Sequence, residues 1–253
     1  MAILITRPAP DDQATAEVLR AKGHDVLRAP MLRYEPVAFQ IDPDLSVDAL
    51  LVTSANALRA LAETPMPGRW RNIPLFAVGD RTARAARAAG FERIEVADGD
   101  GASLRDLVVA RMRTKAARSK PAKKPAGLLY LAAADRAVDL GGELEAFGFN
   151  VVTVTTYRMI ATPELPAAVC DAFSANRIEA VLHYSRRSGR AFIDAVRAAG
   201  VEISALAVPH CCISDNVASV VRDAGASQVA VAQTPDENAL FDALGRALRP
   251  QSR

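Results

Sequence analysis

Two short polar segments, each closing an apolar β-branched run, carry the best chemistry the chain offers. ALLVTSANAL (residues 49–58) runs into Thr53-Ser54-Ala55-Asn56, and AVLHYSRRSG (residues 180–189) runs into Ser185-Arg186-Arg187-Ser188. Small hydroxyl and amide residues at such junctions cap helices. A capped helix start also presents backbone N–H groups and a positive dipole end, which together hold carboxylates or phosphates. The same kind of segment recurs at Thr6-Arg7-Pro8, Gly79-Asp80-Arg81-Thr82, Asp100–Ser103, Ala132–Asp135, Ser214-Asp215-Asn216 and Thr234-Pro235-Asp236. Arg7, Arg81 and Arg186 or Arg187 would add positive charge. Each segment alone is accounted for by helix capping. Together they describe a rim suited to a large polyanion.

Other chemistries find little support. No G-x-G-x-x-G follows a strand and no G-x-x-x-x-G-K-[ST] occurs, so neither common nucleotide loop is present. His183, His210, Cys211 and Cys212 lack the spacing of a zinc site, and neighbours on a strand point to opposite faces, so a buried structural role is expected. His24 fits a surface turn. Asp80 and Asp215 fit the favourable charge of a first helical turn as well as acid–base work. Trp70, in PMPGRWRN, reads as a packing anchor. Three cysteines, two of them adjacent, make no disulfide framework and suit a reducing cytoplasm. The apolar opening before Arg7 is too short for a signal-peptide core, and no apolar run is long enough to span a bilayer. Residues 111–126 hold seven basic residues and no acid; removing them from the net +2 leaves −5 on the rest of the chain. With two prolines and no aromatic, that tract reads as a solvated connector, so no nucleic-acid partner and no membrane partner is expected.

The elements that must position these loops alternate. Strands are expected over 2–6, 25–29, 48–53, 74–78, 93–97, 127–132, 149–155, 179–184, 208–213 and 228–232. Helices are expected over 11–22, 55–63, 80–89, 103–113, 137–147, 164–174, 187–199, 215–224 and 236–248. This is the pattern of an α/β protein with parallel sheets. The chain also repeats itself. Residues 2–37 match 127–162, with Tyr34 opposite Tyr157; 48–58 match 179–189; 76–99 match 211–234. Ten strands in two halves predict two five-stranded domains. The stretches 30–37 and 152–162 read as a crossing pair of linker strands. Domain one would then be discontinuous, 1–35 and 163–253, with domain two at 38–152; a division at the midpoint without exchange fits the pattern too. On the crossing arrangement, Tyr157 would fall beside an interdomain cleft.

The chain resembles the uroporphyrinogen-III synthase family. The similarity lies in LITRP, DALLVTSANAL, FAVGDRTARAARAAGF, VVTVTTYRMIAT, AVLHYSRRSGRAF and CISDNVASVVRDAG followed by VAVAQTPDENAL, which span nearly the whole chain apart from the basic tract. The resemblance implies two flavodoxin-like domains joined by a two-strand linker. It also implies cofactor-free conversion of hydroxymethylbilane, a linear tetrapyrrole with eight carboxylates, to uroporphyrinogen III with loss of water and inversion of ring D, towards haem. The family's assisting tyrosine matches Tyr157, and its substrate-contacting hydroxyls match Ser54, Thr82 and Ser185. Taken with the rim, the expected site is Tyr157 as catalytic residue and Thr6, Arg7, Ser54, Asn56, Gly79, Arg81, Thr82, Ser185, Arg186, Ser188, Ser214 and Asn216 as substrate contacts. Where the family commonly shows Gly-x-x-Thr, this chain has Ser214-Asp215-Asn216-Val217, so Ser214 or Asn216 would have to compensate for the hydroxyl that Val217 lacks. A cytoplasmic monomer is the simplest expectation. The alternative is a non-catalytic two-domain protein that binds a polyanionic ligand.

Overall fold

The computed structural model describes residues 1–62, 64–118, 125–136 and 138–249. Along the chain run β1 (Ala2–Ile5), α1 (Asp11–Ala21), β2 (Asp25–Arg28), β3 (Leu32–Pro36), β4 (Ala49–Val52), α2 (Ala55–Ala62), β5 (Leu75–Val78), α3 (Gly79–Ala88), β6 (Ile94–Ala97), α4 (Gly101–Arg118), β7 (Gly127–Ala133), α5 (Leu140–Ala146), β8 (Asn150–Ala161), α6 (Ala167–Ser174), β9 (Ile178–His183), α7 (Arg186–Ala198), α8 (Glu202–Ala207), β10 (His210–Cys212), α9 (Asp215–Asp223), β11 (Val229–Val231) and α10 (Glu237–Ala247). They fall into two compact units, Met1–Tyr34 with Ile160–Arg253 (unit 1) and Glu35–Met159 (unit 2).

Unit 1 holds a five-stranded sheet in the order β11-β10-β9-β1-β2, every pair parallel. Parallel strands must be covered on both faces, which is why β1 and β9 are nearly continuous apolar runs. On one face Ile3, Ile5, Leu182 and Cys211 pack with Leu19, Leu240 and Leu244 from the helices. Numbered along the unit, the spatial strand order is 2-1-3-4-5, the flavodoxin-like order. Gly23 closes α1 at φ +90°, a conformation that a side chain would strain, and Gly148 closes α5 in the equivalent place at φ +89°.

Unit 2 is built on the same plan with its chain order rotated. Its sheet runs β3-β8-β7-β4-β5-β6; reading β7, β8, β4, β5, β6 restores 2-1-3-4-5. Leu51, Phe76, Leu128 and Tyr130 pack against Leu104, Val108, Leu140 and Leu144. The expected five strands become six because β3 joins the edge. β8 is twelve residues long and β7 only seven, and a long edge needs its backbone groups satisfied. Val37 N–H bonds to Thr156 O (3.0 Å) and Thr162 N–H to Met31 O (2.9 Å), so partners fall along β8 as they rise along β3 and the two strands are antiparallel.

Local differences from the sequence expectation have local causes. The helix expected over 103–113 runs from Gly101 to Arg118, because the tract's alanines, lysines and arginines are strong helix formers and buried Val108 and Met112 anchor it. The first part of the basic tract is therefore helix, and residues 119–124 lie outside the described residues. At about 27 Å, α4 returns the chain from the carboxyl edge of the sheet to the amino edge, where β7 begins. The helix expected from residue 137 begins at Leu140, where Asp139 accepts the Gly142 N–H; residue 137 itself, like residue 63 at the end of the expected 55–63 helix, lies outside the described residues. Helix α8 and a 3₁₀ turn over Gly68–Asn72 had no sequence signal, and the turn buries Trp70 as an anchor. Among the described residues no helix is long and apolar enough to cross a membrane.

Candidate functional site

In open α/β sheets ligands bind beyond the carboxyl ends of the strands, where the strand order reverses. In unit 2 that reversal lies between β7 and β4. The loop after β4 carries Thr53, whose hydroxyl is 3.4 Å from the Tyr130 hydroxyl. It also carries Ser54, whose oxygen accepts the Asn56 N–H at 3.3 Å. The Asn56 amide donates towards the Met159 sulfur at 3.5 Å, which brings α2 against the end of β8.

Tyr157 owes its place there to an irregularity. Thr155 pairs with Ala132 but Tyr157 pairs with Ala133, so Thr156 is the extra residue of a β-bulge. Here Thr156 and Tyr157 are both buried, with the Thr156 hydroxyl bonded to Ala132 O at 3.3 Å and Tyr157 O accepting the Ala134 N–H at 2.8 Å. Beside it Arg158 pairs with Glu35. Gly79 opens α3 at φ +73°, and Arg81 stands exposed two residues on. Thr82, on the first turn of α3, is buried to about the same degree as Tyr157. Val217 holds the equivalent place in α9 and is equally buried, so the residue type there reports packing. Asp100, at the start of α4, accepts the Ser103 and Ala102 amides; these bonds, Ser103 foremost, hold its carboxyl below the usual range.

In unit 1 the reversal lies between β1 and β9. Three of the expected contacts are turned inward here. Thr6 is fully buried, its hydroxyl donating to Leu182 O at 2.8 Å. Ser188 is fully buried behind the cap of α7, and Ser185 Oγ accepts its N–H at 3.1 Å. Arg7 is committed inward: Nη1 donates to Thr15 Oγ1 at 2.9 Å and to Glu237 Oε1 at 2.7 Å, and the guanidinium lies over the Tyr184 ring, 4.3 Å from its centroid. Arg186 and Asn216 are exposed on the first turns of α7 and α9. Ser214 stands at the cap position of α9 but makes no side-chain capping bond.

Behind this rim runs a buried polar chain. His210 Nε2 faces Ala205 O at 3.0 Å, His210 Nδ1 faces His183 Nε2 at 2.9 Å, and His183 Nδ1 lies 3.4 Å from Thr6 Oγ1. A carbonyl only accepts, so His210 carries its proton on Nε2 and receives the His183 proton at Nδ1. Both rings are neutral. Burial holds both below the ordinary 6.5, His210 at about 4, and for His183 the adjacent His210, with which a second proton would have to be shared, acts in the same direction. Burial likewise lifts the Cys211 and Cys212 thiols to about 12, so neither is a ready nucleophile. His183, His210 and the cysteines thus serve the core. Among the described residues no cluster of three or more His, Cys, Asp or Glu could hold a metal ion.

The model of the family described as uroporphyrinogen-III synthase HemD matches residues 13–242, which takes in both units. The chain belongs to that family. Among solved structures it is similar to the uroporphyrinogen-III synthetase of Helicobacter pylori 26695, at 17% identity over 98% of this chain and 99% of that one, with a TM-score of 0.65. It is also similar to a mutant uroporphyrinogen III synthase of the extreme thermophile Thermus thermophilus, at 18% identity over 98% and 99%, with a TM-score of 0.58. At these identities the likeness establishes the shared fold. No curated protein sequence matches the chain.

Proposed function

We propose that this chain is a uroporphyrinogen-III synthase, cyclising hydroxymethylbilane to uroporphyrinogen III with loss of water and inversion of ring D. The observation that carries this reading is the family match across residues 13–242. The poverty of reactive side chains at both rims supports it, because the substrate closes unaided to the uninverted isomer and the enzyme's task is chiefly geometric. Holding the bilane in one near-attack arrangement lowers the barrier by several kcal/mol without a strong acid or base.

In this reading Tyr157 donates a hydrogen bond to the departing hydroxyl. The hydroxyl leaves as water, the ring A N–H proton making up the balance, so that ring A becomes a neutral electrophilic azafulvene; the substituted carbon of ring D attacks it to give a spiro intermediate, which reopens and closes with ring D inverted. Ser54, Asn56, the Gly79 amide and Arg81 hold acetate and propionate groups at the rim of unit 2. Ser185, Arg186, Ser214 and Asn216 do so at the rim of unit 1. The three cysteines are free thiols, which suits a cytoplasmic setting, and a monomer suffices for a site made from one chain's own loops.

The test is to incubate the purified protein with hydroxymethylbilane and separate the isomers by chromatography. Uroporphyrinogen III is expected in excess over the spontaneous type I product; type I alone would leave a protein that binds without catalysis.

A further inference from the structure

We propose that Glu237 is a positioning residue for substrate binding: one of its carboxylate oxygens ties together three strand-to-helix connections of unit 1 and so fixes the rim that holds the substrate's carboxylates. This rests on the functional reading above, which it extends to a residue outside the expected site. Glu237 Oε1 accepts from Arg7 Nη1 at 2.7 Å, from Thr15 Oγ1 at 2.6 Å and from the Tyr184 hydroxyl at 3.1 Å. Arg7 belongs to the β1–α1 loop, Thr15 to α1, Tyr184 to the end of β9, and Glu237 to the first turn of α10. The two loops that flank the reversal of strand order therefore meet on a single oxygen supplied by a third.

Charge and burial explain why the arrangement is firm. Thr15 is fully buried and the Arg7 side chain is only 16% exposed, so removing the acceptor would take a shared partner from two hydroxyls and leave the guanidinium with Asp11 as its carboxylate. Arg7 also faces Asp11 at 3.5 Å. Glu237 is itself anchored, because Asp236 caps α10 by accepting the Ala239 N–H at 2.9 Å and an acid suits a helix N-terminus. Tyr184 immediately precedes Ser185, the cap of α7. Clamping the Tyr184 ring beneath Arg7 thus fixes where Ser185 and Arg186 stand. Arg7 contributes by holding that frame, and its charge is already met by Glu237.

The experiment compares Glu237→Ala and Glu237→Gln with the wild-type full chain, using steady-state kinetics on hydroxymethylbilane and hydrogen–deuterium exchange without substrate. Glu237→Ala should raise KM about tenfold while kcat stays within about twofold. Exchange should quicken at the amides of residues 185–188 and stay unchanged at residues 54–57 of unit 2. Glu237→Gln keeps an acceptor of the same shape and should show about a third of the KM effect on a logarithmic scale; it carries the comparison alone if the alanine variant does not fold. An unchanged KM, or a loss confined to kcat in proportion to unfolded protein, overturns the proposal. If the wild-type chain makes no uroporphyrinogen III, the functional reading falls by itself. Exchange then still decides whether Glu237 orders the rim: local quickening at 185–188 upholds it, and its absence removes it.

Discussion

The rims of the two units are built from the same repeated pattern and held by different means. Unit 1 closes its loops with charge, Arg7, Tyr184 and Thr15 converging on Glu237. Unit 2 sets its rim with backbone geometry, an extra residue at Thr156 turning Tyr157 into a buried place beside Ala133. The capping residues alone, Ser54 in one and Ser185 in the other, would suggest equivalent sites. The difference teaches that a duplicated scaffold repeats its strands, helices and caps, while the groups packed behind the caps decide what each rim does. On the proposed function, unit 2 would hold the group that assists the chemistry and unit 1 a frame for binding.

The contrast breaks first at Tyr157. Tyr157→Phe should lower kcat by two to three orders of magnitude with KM little changed and the circular dichroism spectrum intact; turnover like that of the wild type would remove unit 2 as the seat of the chemistry. Acid should separate the units next. His24, His183 and His210 all belong to unit 1. Folding holds His183 and His210 neutral, His210 at about 4, so the unfolded chain binds more protons. Stability is fully present above pH 6.5 and is lost as pH falls towards 4, by about 3 kcal/mol for His210 alone. Urea unfolding between pH 7 and pH 4 measures the loss, and exchange should show unit 1 amides opening while those of β4 and β7 stay protected. Equal opening of both units would mean that the histidine pair is not the sensitive element.

Smaller effects sharpen the same comparison. Val217→Thr would give α9 the residue that α3 has at Thr82. Because both positions are buried, activity should stay within about twofold and stability should fall by about 1 kcal/mol as a hydroxyl enters the core. A several-fold gain in kcat/KM would show that the hydroxyl reaches substrate after all. Deleting residues 119–124 should change least. α4 carries the chain to the amino edge of the unit 2 sheet, away from its rim, so kcat/KM should hold within about twofold at low and high salt. A loss seen only at low ionic strength would make the basic tract a collector of anionic substrate.

Local chemistry made much of this molecule legible. Apolar β-branched runs fixed the strands, glycines such as Gly23 and Gly148 fixed helix ends, and the Ser-rich junctions fixed where the helices begin, because each is a property of a few adjacent residues. The repeat pointed to sheets of one plan, and the motifs pointed to the family. What depended on partners distant in sequence was hidden. Thr6, Ser188 and Thr82 have rim-like neighbours in the chain, yet their burial is set by strands and helices far along it. Arg7 reads as an anion contact until Glu237, 230 residues away, is found to hold it. Glu237 had a faint signal, an acid following the Asp236 cap, but nothing in TPDENAL names its donors. The bulge at Thr156 was likewise silent, since it exists only in the register of β8 against β7. Local sequence was enough for most of the elements, their order and the polar character of their ends; which polar groups remain at the rim depended on the folded chain, because a hydrogen bond or ion pair is satisfied by whatever the fold brings within about 3 Å.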